Sequence, residues 1–212
     1  MSLLLSREPA SATARRLSSI AIYCGASPGQ DPRYLAAARA VGAGLAERGI
    51  VVVYGGGRVG MMGALADAAL AAGGRVVGVI PQRLMEREAA HRELSELHVV
   101  PDMHTRKARM AALAEGFIAL PGGIGTYDEL FEILTWLQLG YHRLPVGVLN
   151  VAGYFDPLLA LLDRTVSEGF LSPATRAMLL ADLQLPALLA QMERFLPEDA
   201  EAWLAAKLRQ EP

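Results

Sequence analysis

The sequence predicts a single-domain α/β protein with a mainly parallel sheet and helices on both faces. Three observations lead to this prediction. Short apolar runs alternate with longer segments of helical periodicity along the whole chain. The runs are continuously apolar, as in Ile50–Tyr54, which is typical of strands buried on both faces of a parallel sheet. No linker, repeat or low-complexity segment divides the chain, so we expect one domain.

The elements follow from these patterns in order. Ser18–Cys24 is the first predicted strand, and Asp31 and Pro32 suit the cap and first turn of a helix that ends before Gly49. The other predicted strands are Ile50–Tyr54, Arg75–Ile80, Leu97–Val100, Gly116–Leu120 and Pro145–Leu149, with a last short strand or a turn near Leu183. The other predicted helices are Met61–Ala72, Asp102–Ala114, Tyr127–Leu139, Pro157–Glu168, Pro173–Leu180, Pro186–Leu196 and Glu198–Arg209.

Composition excludes several classes of protein. The net charge is −2 and the chain has no basic tract, so binding to nucleic acid through charge is not expected. Cys24 is the single cysteine, and the four histidines lack the spacing of zinc ligands, so we predict no metal site. No apolar run reaches the ~18 residues that a membrane span requires. We expect a cytoplasmic protein with a flexible tail at residues 1–17.

The stretch from Pro121 to Glu129 is the most informative part of the chain. It follows an apolar run, Phe117–Leu120, and contains three glycines before an amphipathic segment. A strand, a glycine turn and a helix start in that order form an anion site. Glycine lets the backbone approach a ligand, and the free N–H groups of the first helical turn point at it. Thr126 adds a hydroxyl group and Glu129 a carboxylate, so we expect a phosphate cradle with an acid beside it.

The same residues allow a simpler interpretation. Thr126 and Glu129 have the spacing of a capping box, in which each side chain accepts a hydrogen bond from a backbone N–H group at the other position. A cap does not need three glycines, which favours the anion site. Both interpretations remain open at this point.

A second glycine loop, Gly55–Gly60, follows a predicted strand and opens a helix. Its spacing is that of a dinucleotide fingerprint, which would also require an acid about 20 residues further on. The corresponding region, Val79–Arg83, has no acid, and neither glycine loop carries the lysine of a P-loop. NAD binding and ordinary NTPase chemistry are therefore disfavoured. Two such loops suit a mononucleotide, with Gly56 and Gly57 close to its sugar or base.

The segment Pro81–Glu96 is charged and has no clear period. A long polar excursion after the carboxyl end of a strand often shapes a binding site. An ordinary solvated surface loop explains its composition equally well.

Several motifs stand in order along the chain. They are Cys24–Ser27, Tyr54–Gly63, Met103–Lys107, Pro121–Glu129 and Gly147–Pro157. Together they resemble the Lonely Guy (LOG) family of cytokinin riboside 5′-monophosphate phosphoribohydrolases. The resemblance implies a Rossmann-like nucleotide-binding catalytic domain over residues 18–212, and usually a homodimer. The implied reaction is hydrolysis of an N6-substituted AMP to free base and ribose 5-phosphate, with no metal or cofactor.

The resemblance also implies roles for individual residues. By position, Arg106 and Glu129 match the catalytic pair of the family. The implied substrate contacts are Glu88, Arg106, Lys107, Gly122, Gly123, Ile124, Gly125, Thr126, Tyr127, Asp128 and Thr135. Members of the family have also been labelled lysine decarboxylases, which would normally need a lysine for pyridoxal phosphate. Nothing in the sequence around Lys107 or Lys207, the two lysines, marks such a site.

The chemistry of such a reaction suggests how the two catalytic candidates divide the work. Breaking an N-glycosidic bond builds positive charge on the ribose ring, which a nearby carboxylate stabilises while it activates water. We assign this role to Glu129. Arg106 stays charged at any working pH, so we expect it to orient Glu129 or bind an anionic part of the substrate. The alternatives are a general nucleosidase that acts on AMP, and a nucleotide-binding protein without catalysis.

Overall fold

The computed structural model describes residues 15–85 and 90–196. Its strands are β1 Ser19–Tyr23, β2 Val51–Tyr54, β3 Val76–Pro81, β4 Glu96–Val100, β5 Phe117–Ala119, β6 Val146–Leu149 and β7 Leu179–Asp182. Its helices are α1 Pro32–Ala46, α2 Gly60–Ala71, α3 Gln82–Met85, α4 Met103–Leu113, α5 Ile124–Gln138, α6 Asp156–Ser167, α7 Pro173–Ala177 and α8 Leu185–Glu193, with a 3₁₀ turn at Val151–Gly153.

The strands form one sheet in the order β4-β3-β2-β1-β5-β6-β7, and all neighbouring pairs are parallel. Successive side chains of a strand point to opposite faces, so each strand contributes side chains to two separate cores. Ile20 and Ile22 of β1 pack with α1, α2 and α8 on one face, whereas Ala21 and Tyr23 pack with α4, α5 and α6 on the other. The predicted single-domain α/β architecture with helices on both faces is confirmed.

The strand order reverses between β1 and β5, and the two strands end side by side. The Leu120 N–H group donates to the Tyr23 carbonyl at 2.8 Å, and the Gly25 N–H group donates to the Pro121 carbonyl at 3.1 Å. These bonds join the loop after β1 to the loop after β5. A crevice at the carboxyl ends of such strands is where α/β sheets bind ligands, because the two loops diverge there.

The predicted boundaries at the start of α5 and at β7 are wrong. Helix α5 begins at Ile124 rather than Tyr127, because Gly123 takes the cap position and the following glycine and threonine enter the helix. Leu179 and Leu180 belong to β7, whose backbone pairs with β6, and not to the preceding helix. Leu183 lies just beyond that strand. Tertiary pairing with β6 overrides the helical pattern at this point.

The polar excursion after β3 is attached to the second glycine loop. Its first residues form the short helix α3, and Ala90 forms an antiparallel bridge with Gly57. The His91 N–H group donates to the Gly56 carbonyl at 3.0 Å. These contacts hold the excursion against the sheet at the carboxyl ends of β2 and β3.

Parts of the predicted termini lie outside the described residues, namely most of the tail (1–14) and the last predicted helix (198–209). Leu17, which we assigned to the tail, is only 2% exposed and packs in the core. The Arg15 N–H group donates to the Glu193 carbonyl at 3.0 Å, so the ordered domain begins before residue 18. Within 15–85 and 90–196, no helix combines the length and apolar character needed to cross a membrane.

Candidate active site

A cavity of about 560 Å³ opens at the carboxyl ends of β1 and β5, where the strand order reverses. The loops after β1, β5 and β6 and the first turns of α2, α4 and α5 surround it. Its lining residues are Cys24, Gly25, Ala26, Ser27, Gly29, Tyr34, Met61, Met62, Leu84, Met103, Arg106, Pro121, Gly122, Gly123, Gly125, Thr126, Glu129 and Tyr154. The predicted glycine stretch and both catalytic candidates therefore meet in one cavity.

The first turn of α5 has donors to offer a ligand. Gly123 caps this 15-residue helix, and the first N–H group that bonds within it is that of Tyr127, to the Gly123 carbonyl at 3.2 Å. Among the residues that the structure describes, no side chain caps the turn. Thr126 is the third residue of the helix and Glu129 the sixth, so the capping-box interpretation is wrong. The free N–H groups and the positive end of the helix dipole favour an anion here.

The three glycines of this turn differ in what surrounds them. A Cβ atom added at Gly122 would meet the Thr126 hydroxyl oxygen at 2.1 Å, so packing alone requires glycine there. At Gly123 and Gly125 the same atom would meet nothing within 4 Å. The fold does not require glycine at these two positions. Open space beside a bare backbone is what the close approach of a ligand would need.

The second glycine loop makes room for Arg106. A Cβ atom at Gly55 would lie 1.9 Å from the Arg106 guanidinium, and the guanidinium donates to the carbonyls of Gly55 at 3.3 Å and Val79 at 3.1 Å. Gly56 and Gly57, the predicted sugar or base contacts, do not line the cavity. Gly56 instead adopts a φ of 75°, in the left-handed region. This loop shapes the backbone that holds Arg106.

Arg106 and Glu129 form the charged centre of the cavity. The Arg106 Nη1 atom lies 3.6 Å from Glu129 Oε1, and each residue is only 8% exposed. Burial raises the pKa of Glu129 to about 7, although Arg106 opposes the shift. A carboxylate with a pKa near neutrality is suited to act as a general base.

Lys107 and Asp128, two predicted substrate contacts, face each other and not the cavity. The Lys107 Nζ atom lies 3.0 Å from Asp128 Oδ2 and 3.1 Å from Glu132 Oε1. Burial lowers the pKa of the Lys107 ammonium, but its hydrogen bonds to the two carboxylates outweigh this and leave the pKa above its ordinary value. Neither Lys107 nor Asp128 lines the cavity.

The remaining predicted contacts on α5 lie outside the cavity. Ile124 is 83% exposed, and Tyr127 and Thr135 lie with it along a surface depression on the outer face of α5. The Thr135 hydroxyl donates to the Phe131 carbonyl one turn earlier. Glu88 lies outside the described residues. Of the predicted contacts besides the Arg106–Glu129 pair, the structure brings together Gly122, Gly123, Gly125 and Thr126.

The sequence interpretation missed the aromatic and apolar walls of the cavity. Tyr154 donates from its hydroxyl group to the Gly122 carbonyl, and its ring contacts that of Tyr34 edge to face at 5.5 Å between centroids. Met62, Met103 and Leu84 also line the cavity. Tyr154 and Met62 stand in motifs that carried the resemblance, so motif matching could have found them. Leu84 lies in the excursion after β3, whose composition left a binding role open, and Tyr34 has no signal in the sequence.

The chain is similar to several known proteins. The model of the family described as "Possible lysine decarboxylase" matches residues 62–192. The chain is 48% identical to the cytokinin riboside 5′-monophosphate phosphoribohydrolase LOG7 of Arabidopsis thaliana over 88% of this chain and 86% of the relative. It is 52% identical to the cytokinin riboside 5′-monophosphate phosphoribohydrolase of Rhodococcoides fascians over 75% of this chain and 81% of the relative.

A solved structure shares the fold at much lower identity. The molybdenum cofactor binding protein of Rippkaea orientalis superposes with a TM-score of 0.63 over 84% of this chain and 96% of its own. The two sequences are 21% identical, so this likeness concerns the fold alone.

The raised pKa of Glu129 predicts a pH-dependent effect on stability. The folded protein binds this proton more tightly than the unfolded chain, whose reference pKa is 4.5. The stability that this tighter proton binding contributes is fully present below pH 4.5 and is lost as the pH rises through about 7. We expect Glu129→Gln to raise the free energy of unfolding by roughly 2 kcal/mol at about pH 8, and by much less at about pH 5.

Urea denaturation of both proteins at the two pH values measures this difference. Glu47→Gln is the matched control, because Glu47 is exposed at the end of α1 and its replacement should leave the pH dependence unchanged. A Glu129→Gln protein less stable than the parent at the higher pH would contradict the burial argument.

Proposed function

The chain belongs to the family of the cytokinin riboside 5′-monophosphate phosphoribohydrolases, and on that premise we propose that it hydrolyses N6-substituted adenosine 5′-monophosphates to free base and ribose 5-phosphate. One observation carries the proposal beyond family membership. A buried carboxylate with a pKa near 7 shares a cavity with an uncapped helix start. These are the two groups that such a reaction requires.

The shape of the cavity suggests how the nucleotide lies in it. The phosphate would sit at the start of α5, on the N–H groups around Gly125 and beside the Thr126 hydroxyl. Glu129 lies further along the same helix, where the ribose would follow. The base would then extend towards Met62 and Met103, two apolar residues of the cavity lining at the starts of α2 and α4. An apolar N6 substituent would gain by burial there, because methionine adapts its shape to different groups.

The reaction then follows from the charges. Water attacks C1′ of the ribose as the C1′–N9 bond breaks, and the departing base keeps the bonding electrons and takes up a proton from solvent. Glu129 as a carboxylate stabilises the positive ribose and accepts the proton of the water. Two backbone carbonyls fix the position of Arg106. Its guanidinium lies 3.6 Å from the Glu129 carboxylate and orients it.

The description of the family model names a different chemistry. A lysine decarboxylase of the pyridoxal type would hold its cofactor through a lysine amine. Among the described residues that line the cavity none is a lysine, and the Lys107 ammonium is engaged by two carboxylates outside it. These placements support the hydrolase.

A nucleotide panel tests the proposal. We expect release of free base and ribose 5-phosphate from N6-isopentenyl-AMP and N6-benzyl-AMP, measured by chromatography, with kcat/KM at least about tenfold above that for plain AMP because the space beside Met62 and Met103 would stay unfilled. Glu129→Gln should lower kcat by ~10²-fold or more.

Each other outcome has a definite meaning. Equal rates for plain and N6-substituted AMP would indicate a general AMP nucleosidase. Binding without product from any nucleotide would indicate a nucleotide carrier. Near-normal turnover by the Glu129→Gln protein would remove Glu129 from the mechanism.

The glycine at position 125 gives a second test, aimed at the phosphate. A methyl group there meets no protein atom within 4 Å, so Gly125→Ala should fold with unchanged or slightly higher stability. It would nevertheless intrude on a bound phosphate. We expect KM for the nucleotide to rise about tenfold or more, and inhibition by ribose 5-phosphate to weaken in parallel. An unchanged KM in a folded variant would place the phosphate elsewhere.

We also propose that the protein is a homodimer formed through the outer face of α5. Ile124 and Phe131 are exposed on this face, and Tyr127 and Trp136 line the same depression of about 380 Å³. Large apolar side chains grouped on one exposed helix face mark a contact surface. A second copy of the chain is the simplest occupant, and it would also cover Thr135.

Light scattering on a size-exclusion column tests the dimer. Phe131→Glu should shift the protein to a monomer, because a charge would be buried at the interface. Val99→Glu is the control, since it adds the same charge at an apolar residue that is 47% exposed on β4, at the far edge of the sheet. A Phe131→Glu protein that stays dimeric, or a parent protein that is monomeric at all concentrations, would refute this interface.

A further inference from the structure

We propose that Lys107 is a positioning residue, which neutralises Asp128 and Glu132 and so keeps their charge from acting on Glu129, and that it does not contact the nucleotide. This inference rests on the proposed function, in which Glu129 must ionise. It assigns Lys107 a different role from the substrate contact that the sequence implied.

The geometry of two helices carries the argument. Asp128 and Glu132 are four residues apart on α5, where like charges face one another and repel. Lys107 reaches across from α4 and places its ammonium 3.0 Å from one carboxylate and 3.1 Å from the other. Its side chain is only 10% exposed, whereas the side chains of Asp128 and Glu132 are 54% and 27% exposed, so the ammonium is the buried member of the bridge.

The neighbouring residue on α4 points to the cavity instead. Arg106 and Lys107 are consecutive, which turns their side chains about 100° apart around the helix. Arg106 thus meets Glu129 and two backbone carbonyls, whereas Lys107 meets the acids on the flank of Glu129. Two cations of α4 therefore face three carboxylates of α5: Arg106 pairs with Glu129, and Lys107 pairs with the other two.

Other groups near Glu129 leave this balance unchanged. Tyr23 and Cys24, at the end of β1, face Glu129 from the sheet, but burial raises the pKa of both groups well above neutrality, so they carry no charge at pH 7. The charges that act on Glu129 are those of Arg106, Asp128, Lys107 and Glu132. Arg106 and Lys107 lower the pKa of Glu129, whereas Asp128 and Glu132 raise it.

Titration of Glu129 in the nucleotide-free protein tests the inference without using catalysis. The carboxyl ¹³C signal of Glu129, assigned by its loss in Glu129→Gln, is followed against pH. Lys107→Met should raise its midpoint by about one pH unit, because two carboxylates lose their counter-charge. Glu132→Gln should lower the midpoint, and it keeps the contact between Lys107 and Asp128, so it gives a second reading if Lys107→Met does not fold. Lys107→Arg should restore the parent value.

Kinetics then separate positioning from substrate contact. The acidic limb of kcat/KM should move with the midpoint, so Lys107→Met loses activity at about pH 6 and recovers most of it at about pH 9. Arg109→Met is the matched control, because Arg109 is an exposed cation on the same helix and its loss should move neither profile.

Two results would overturn the inference. One is a Glu129 midpoint that stays the same in Lys107→Met and in Glu132→Gln. The other is a loss of AMP affinity in Lys107→Met that is equal at every pH, which would show a direct contact. If the parent protein hydrolyses no nucleotide, the proposed function fails, but the titration still decides the role of Lys107.

Discussion

The buried pair of Arg106 and Glu129 is the interaction on which the rest of the site depends. A charge without solvent is stable in a protein only where hydrogen bonds and opposite charge replace water. Arg106 meets this condition through the carbonyls of Gly55 and Val79, and its guanidinium fits there because position 55 has no side chain. Glu129 meets it only in part, since the Arg106 guanidinium is 3.6 Å away, and its raised pKa is the result.

At the Glu129 carboxylate, the burial that makes it a stronger base also costs the folded protein stability. A carboxylate that ionises easily would be better solvated and a weaker base, whereas a fully desolvated one would stay protonated. The site lies between these limits because α4 supplies two cations to the three acids of α5. The helix start is likewise left uncapped among the described residues, where its donors can serve a ligand. Destabilising features of this kind are typical of functional sites.

The two glycine loops look alike in sequence and serve different ends. In the loop after β2, protein atoms fill the space where side chains would lie, the Arg106 guanidinium at Gly55 and the Ala26 carbonyl at Gly60. The loop after β5 keeps two glycines, at positions 123 and 125, beside which no protein atom lies within 4 Å. Apolar side chains lie both in the cavity and on the surface near it. Met62 and Met103 line the cavity, and the outer face of α5 presents a surface suited to a second copy of the chain.

The sequence by itself determined the α/β class, most elements and the pairing of a glycine turn with an acid, because hydrophobic period and turn chemistry are local properties. Its motifs also identified the family, which the comparisons confirm. It misplaced the start of α5 and the strand β7, where a cap and a neighbouring strand overrule local preference. The folded structure alone shows that consecutive residues 106 and 107 face different partners, and that Tyr34 and Leu84 line the cavity. The direction of a side chain depends on the rotation of its helix against the sheet, and that rotation is set by the packing of both cores together.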